Sequence, residues 1–413
     1  MGRFDDSEVV QRFLRYVKID TQSDEESSTA PTTEKQKELG RLLGDELREI
    51  GAKDVYFDEK FGYVYAKIPA TDGGRENKTL ALISHMDTAA EASGKDVKPE
   101  IIEDYDGGDI LLGNSGLILS PGRFPELKAY IGQSLIVTDG TTLLGADDKA
   151  GVAEIMTAAA YLIKHPAIPH GNISICFTPD EETGRGVDHI DEKRLGADCA
   201  YTVDGGAIGE LEYENFNAAS ASVKVHGITV HPGEAKNKMK NAARIASEFD
   251  RMLPLNERPE YTEGYEGFFH LIKMSGTAEE AELSYLIRDH AKELFEKKKA
   301  LLKAAESFLN SKYGEGTVKV TVEDSYYNMK EKIEPENHFL IENAKSAMKE
   351  VGIACRIQPI RGGTDGARLS FMGIPCPNLC TGGHNFHGRY EYICAESMEK
   401  ITEMLIKLVQ YPL

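Results

Sequence analysis

Residues 80–89 read LALISHMDTA, an apolar run that ends on His85 and Asp87. A short apolar run of this kind reads as a buried strand. The two groups at its end are spaced by two, so they project from one side of the extended chain. The arrangement recurs. Asn172–Thr178 reads as a strand and runs into CFTPDEETG, 176–184, with Asp180, Glu181 and Glu182. Residues 200–203 read as a shorter strand, ending at Asp204 in AYTVDGG, 200–206. Between them ADDKAGVAEIMTAAAYLIKH, 146–165, turns helical after Gly151. Alternating strands and helices predict a mainly parallel sheet covered on both faces. In such sheets ligands collect at the carboxyl ends of the strands.

Other elements are consistent with this α/β reading. Val9, Val10, Phe13, Leu14 and Val17 recur at helical spacing and predict a helix over 5–18. A second helix is expected over 34–50, with Thr32 or Thr33 as N-cap and Gly51 as its stop. Strands are expected at 54–58, 62–68, 79–84 and 134–137. The pattern changes near residue 215. There follow a strand at 217–226, a helix at 237–251, strands at 267–275 and 281–289, a charged helix at about 290–312 and a strand at 317–322. That order is the ferredoxin-like α+β unit. A helix at 335–351, a strand near 355–359 and a helix at 395–410 then resume the first pattern. The expectation is a catalytic domain of residues 1–214 and 326–413 with a small domain, 215–325, inserted into it.

Composition narrows the class. A chain of 413 residues with 41% hydrophobic and 28% charged residues suits a soluble protein of two domains. A formal net charge of -20 disfavours nucleic acids and anionic membranes as partners. No apolar run reaches the roughly 18 residues of a membrane span, and the first residues do not read as a signal peptide. The six sparse cysteines read as reduced thiols, which predicts a cytoplasmic protein.

LLGADDKAG, 143–151, sets two aspartates side by side. On an ordinary extended chain Asp147 and Asp148 would face opposite ways. Near the end, TGGHNFHGRYEYI, 381–393, places His384 and His387 in a glycine-rich loop. Each motif alone has an ordinary explanation: a strand-end histidine with an Asp turn, acidic loop decoration, an Asp-Gly turn, an exposed loop histidine. Together they supply histidines and carboxylates from separate strand ends. Such mixed nitrogen and oxygen donors suit zinc, and manganese or cobalt would also fit. In CFTPDEETG, metal ligation beside a general base accounts for three adjacent acids.

The motifs SHMDT, KPEIIEDYDGGDILLG, TDGTTLLGADDKAG, FTPDEETGRG, TVDGG, VHGITVHPGEAKNKMKNA and TGGHNFHG span almost the whole chain. With them the sequence resembles the peptidase T family of bacterial tripeptide aminopeptidases. That family is a branch of the zinc exopeptidases that include carboxypeptidase G, aminoacylase and bacterial dipeptidases. The stretch from Asp96 to Gly151 is specific to the tripeptidase branch.

The resemblance implies two zinc ions per subunit, bridged by Asp147. His85 and Asp204 complete one site, and Glu182 and His387 the other. HGRYEYI matches the family's histidine-to-glutamate pattern and favours His387 over His384. Hydroxide from the dizinc centre attacks the peptide, with Glu181 as general base and Asp87 orienting His85. His231 of the inserted domain stabilises the carbonyl oxygen, and Arg288 and Arg361 hold the substrate's terminal carboxylate. The resemblance also implies that the inserted domain serves as a lid and as a surface through which two chains could pair, the oligomeric state itself staying open. The partner is a small peptide, from which the N-terminal residue of a tripeptide is released. A cis peptide bond joins Asp147 to Asp148, and Lys149 answers the local negative charge. A dipeptidase or carboxypeptidase-like amidase of the same family is the alternative enzyme. A catalytically silent binding protein on this fold is the alternative from another class.

Overall fold

The computed structural model describes residues 3–4, 6–71 and 78–413. Asp5, where the opening helix is expected to begin, lies outside them. The chain divides into two compact units. One comprises Met1–Tyr213, Glu331–Gln358 and Thr364–Leu413, and the other Glu214–Lys330 and Pro359–Gly363.

Among the described residues, the first unit holds an eight-stranded sheet. Its order is Lys53–Phe57, Val64–Ile68, Asn172–Thr178, Thr79–His85, Cys199–Gly205, Asn378–Cys380, Glu210–Glu212, Arg356–Ile357. The four strands from Asn172–Thr178 to Asn378–Cys380 run parallel, and antiparallel pairings flank them. The period of two decides what each strand buries. Leu80 and Leu82 enter one apolar cluster with Ile173, Ile175 and Phe177. Ala81 and Ile83 enter a second, on the other face, with Cys176 and Ala200. The first cluster is completed by the apolar sides of the helices Glu8–Tyr16, Ala146–Lys164, Phe339–Glu350 and Ala395–Leu408. Truncating a fully buried leucine such as Leu82 to alanine would cost about 2–5 kcal/mol here.

Several boundaries depart from the sequence expectation. The second helix, Gln36–Ile50, is preceded by Lys35 without a side-chain cap. Thr32 does not cap it. Its N–H and hydroxyl both donate to the buried Asp180 carboxylate, the hydroxyl at 2.6 Å. Gly51 does end the helix, at φ 97°. A four-stranded antiparallel sheet of Gly383–His384, Tyr392–Cys394, Leu135–Val137 and Glu100–Ile102 has its own core around Tyr105, Leu127, Tyr130 and Tyr392. Apart from 134–137, sequence reading does not anticipate it. The helix expected at 335–351 begins at Phe339, and the strand near 355–359 shortens to Arg356–Ile357.

The second unit is a four-stranded antiparallel sheet in the order Phe268–Gly276, Glu280–Asp289, Asn217–His226, Val318–Tyr326. Helices Ala242–Arg251 and Lys292–Tyr313 pack on it through Ile245, Phe249, Phe295, Leu302 and Leu309. This is the ferredoxin-like arrangement. The first of these helices starts later than residue 237, because the Asn241 side chain caps it by accepting from the Arg244 N–H at 3.1 Å. The unit also runs beyond 325, to Lys330, and takes in Pro359–Gly363. That short segment is tied in by the Ile360 N–H, which donates to the Glu214 carbonyl at 2.8 Å, and by His290 Nε2, 3.1 Å from the Ile360 carbonyl.

Candidate metal centre

Three neighbouring parallel strands deliver their carboxyl ends to one place. His85 ends the first, Asp204 lies at the end of the second, and the third leads through Pro179 into Asp180, Glu181 and Glu182. His85 Nε2 lies 2.9 Å from Asp147 Oδ1 and 3.3 Å from Asp204 Oδ1. His387 Nε2 lies 3.0 Å from Glu182 Oε2 and 3.4 Å from Asp147 Oδ2. Two potential metal clusters result, His85–Asp147–Asp204 and Asp147–Glu182–His387. They share Asp147, one oxygen of which faces each histidine. The five side chains expected as ligands are thus brought together.

The backbone resolves the puzzle of the paired aspartates. The Asp147–Asp148 peptide bond is cis, and both residues lie outside helical geometry at the head of Ala146–Lys164. Asp147 faces the two histidines. Asp148 is fully buried, where it accepts the His85 N–H at 3.1 Å and the Gly151 N–H at 3.3 Å. Lys149 is also buried and donates from Nζ to the Ile19 carbonyl at 2.7 Å. Burial pulls its ammonium down to about 8, against the charges of Asp20, Glu391 and Asp87.

A second layer of carboxylates fixes the first. His85 Nδ1 lies 3.0 Å from the Asp87 carbonyl and 3.3 Å from Asp87 Oδ1, which leaves Nε2 to face the cluster. The Asp87 carboxylate also accepts the N–H groups of Glu181 and Glu182, at 3.0 and 3.2 Å. It therefore sets the acidic loop as well as the imidazole. Glu91 plays the matching part for the other histidine, 3.2 Å from His387 Nδ1. Glu391, fully enclosed, accepts the N–H groups of Leu144, Gly145 and Asp147. Sequence reading assigns neither Glu91 nor Glu391 a role. The only signal is the glutamate of HGRYEYI.

The electrostatics ask for a cation. Burial raises the carboxyls of Asp204, to about 6, and Glu182, to about 8, with Asp147's charge adding to the Glu182 shift. Hydrogen bonds to Asp147 and Glu182 lift His387 to about 12. Burial opposes protonation of His85, yet the charges of Asp204 and Asp147 hold its pKa well above normal. Glu182 Oε1 is buried with no hydrogen-bond partner among the described residues. An orphaned carboxylate oxygen and two imidazole nitrogens, each facing two carboxylates, fit divalent metal in both clusters.

The remaining expected site residues divide by unit. In the first, Glu181 is half-buried, and its carboxylate has no hydrogen-bond partner among the described residues. Burial, with the Asp204 charge, pushes it well above the usual carboxylate range. In the second unit, His231 is exposed and its Nδ1 accepts the Gly233 N–H at 3.2 Å, which leaves Nε2 as the protonated donor. Arg288 donates to the carbonyls of Ala219 and Ile287. Arg361 donates to those of Gly264, Glu266 and Thr262. His384 stands apart from both metal clusters. Its Nε2 lies 2.6 Å from the Tyr130 hydroxyl and its ring stacks on Tyr392.

Known proteins resemble the chain over nearly its whole length. A peptidase T from Alkaliphilus oremlandii is 57% identical over 404 residues, covering 97% of this chain and 98% of that protein. A peptidase T from Caldanaerobacter subterraneus is 57% identical over 405 residues, covering 98% of each. The chain belongs to the peptidase T family. A family model described as a peptidase dimerisation domain matches residues 213–317, which hold three of the four strands of the ferredoxin-like sheet and end just before the fourth, Val318–Tyr326. Among solved structures, aminopeptidase PepT from Bacillus cereus superposes with a TM-score of 0.78 at 26% identity, covering 99% of both chains. A dinuclear metal binding peptidase from Bacillus subtilis shares the fold, with a TM-score of 0.64 at 14% identity over 98% of both chains. No helix among the described residues is long and apolar enough to cross a membrane.

Proposed function

We infer that this member of the peptidase T family is a metal-dependent aminopeptidase that releases the N-terminal residue of tripeptides. The observation that carries the reading is the pair of ligand clusters sharing Asp147. The near full-length identity to peptidase T proteins supports the tripeptide as substrate. We propose two zinc ions, with manganese or cobalt as substitutes. His85, Asp147 and Asp204 would hold one, and Asp147, Glu182 and His387 the other. Bound metal supplies Lewis acidity, which lowers the pKa of water from 15.7 toward about 7 and polarises the peptide carbonyl.

The chain's own residues do the rest. Glu181 takes the proton of the attacking water and returns it to the leaving amine. Its unpartnered carboxylate, outside both ligand clusters, supports that part. Asp87 positions both His85 and the Glu181 loop through the contacts described above. The His231 imidazole, its Nε2–H free to donate, suits the developing oxyanion. Arg288 and Arg361 are proposed to meet the substrate's terminal carboxylate. We propose a catalytic domain and a lid that dimerises, supported by the dimerisation-domain match. A cytoplasmic setting is supported by six unpaired cysteines, five of them buried.

Hydrolysis of a panel of di-, tri- and tetrapeptides, with and without chelator and with mass analysis of the products, tests the reading. Release of a single N-terminal residue from tripeptides, abolished by chelator, is expected. Cleavage that prefers dipeptides, or that survives complete metal removal, would overturn it.

A further inference from the structure

A cleft of about 530 Å³ opens in the first unit, lined by Tyr130, Gly206, Glu210, Arg356, His384 and Phe386 among others. Two of its lining residues adjoin residues of the metal centre in sequence: Gly206 lies two residues past Asp204, and Phe386 directly precedes His387. One wall, with Tyr130, comes from the 96–151 stretch that the small antiparallel sheet binds to the closing loop. None of the proposed catalytic steps uses this space.

Its charges are specific. The Glu210 side chain is only 15% exposed, while Arg356 beside it is 59% exposed. Arg356 Nη2 stands 3.5 Å from Glu210 Oε1, longer than the roughly 2.7–2.9 Å of a tight charged hydrogen bond. The Gln358 side chain also reaches this carboxylate. A Cβ at position 206 would lie 2.6 Å from Glu210 Oε2, so glycine there lets the carboxylate rest over the loop that follows Asp204. His384 adds no positive charge, because burial pulls its imidazole down to about 4. Tyr130 and Phe386 contribute aromatic rings, which favour a cation nearby.

We propose that this cleft receives the N-terminal residue of the peptide and that Glu210 pairs with its free ammonium. The proposal rests on the aminopeptidase reading and explains how that activity requires an unblocked amine. Ammonium displaces the loosely held Arg356 from the carboxylate. A substrate lacking the amine leaves Arg356 beside Glu210 and gains no pairing of its own there, so it is disfavoured relative to one with a free amine.

Steady-state kinetics of the metal-loaded protein on trialanine and on its desamino analogue test it. The wild type is expected to favour the free amine by about 100-fold or more in kcat/KM. Glu210→Gln is expected to raise KM for trialanine about 10-fold, with kcat changed less than about 3-fold, and to shrink the preference below about 10-fold. Glu210→Asp should restore part of it. Arg356→Met, at an exposed position, should lower KM for trialanine by removing the competing cation. A Glu210→Gln protein with the wild-type preference, or an Arg356→Met protein with a raised KM, would overturn the proposal. Failure of the wild type to cleave trialanine at all would instead sink the aminopeptidase reading.

Discussion

The carboxylate of Glu391 accepts the backbone N–H of Asp147 at 3.0 Å, across 244 residues of sequence. Its other oxygen accepts Leu144 and Gly145, at 2.7 and 2.8 Å. One buried side chain thus holds the turn from which the shared ligand projects. Glu391→Ala would leave three enclosed N–H groups without acceptors, at about 1–3 kcal/mol each before relaxation. We expect a lowered Tm and fewer than two metal ions per chain. Glu391→Gln keeps an acceptor oxygen and should lie between. Metal analysis after gel filtration, together with thermal unfolding, gives the answer. Wild-type metal content in Glu391→Ala would show that the turn holds without it.

Asp147 faces both histidines, so its loss should not be local. Asp147→Ala is expected to weaken both metal sites at once, whereas Asp204→Ala or Glu182→Ala should weaken one more than the other. Titration with zinc, followed by elemental analysis, separates the cases. One site filled at wild-type affinity in Asp147→Ala would argue against a shared ligand.

Glu181 belongs to neither metal cluster, although its backbone neighbour Glu182 belongs to one. Glu181→Gln keeps the volume and removes the proton acceptor. We expect full metal occupancy, a near-normal Tm and a kcat lowered by about 10²–10⁴. Turnover within a few-fold of wild type would remove Glu181 from the proton path.

How far the sequence discloses this site depends on the length of the elements that carry it. Thr79–His85, Asn172–Thr178 and Cys199–Gly205 are seven-residue strands, and their apolar runs make His85, Glu182 and Asp204 legible as strand-end groups. The cleft wall is different. Its strands, such as Gly383–His384 and Tyr392–Cys394, are two or three residues long, too short for any period to register. Glu91 and Glu391 act on partners 296 and 244 residues away, which no local pattern encodes. Thr32 shows a local rule losing to a tertiary contact. Its hydroxyl is a good helix cap, yet it serves the Asp180 carboxylate instead. The cis bond between Asp147 and Asp148 is likewise invisible to any side-chain period.

Away from the metal centre, Glu212 ties stability to pH. Its Oε2 accepts from Asn378 Nδ2 at 2.8 Å across neighbouring strands, and burial pushes its carboxyl up to about 8. The unfolded chain would release that proton near pH 4.3. Between those values the folded state binds more protons than the unfolded one, so stability falls as pH rises. The contribution is intact below about pH 4 and is lost as pH passes through about 8. Glu212→Gln should remove this dependence, raising Tm at pH 8.5 relative to wild type and changing it little at pH 5. Equal Tm differences at the two pH values would mean that Glu212 is not protonated in the folded protein at pH 5 to 7.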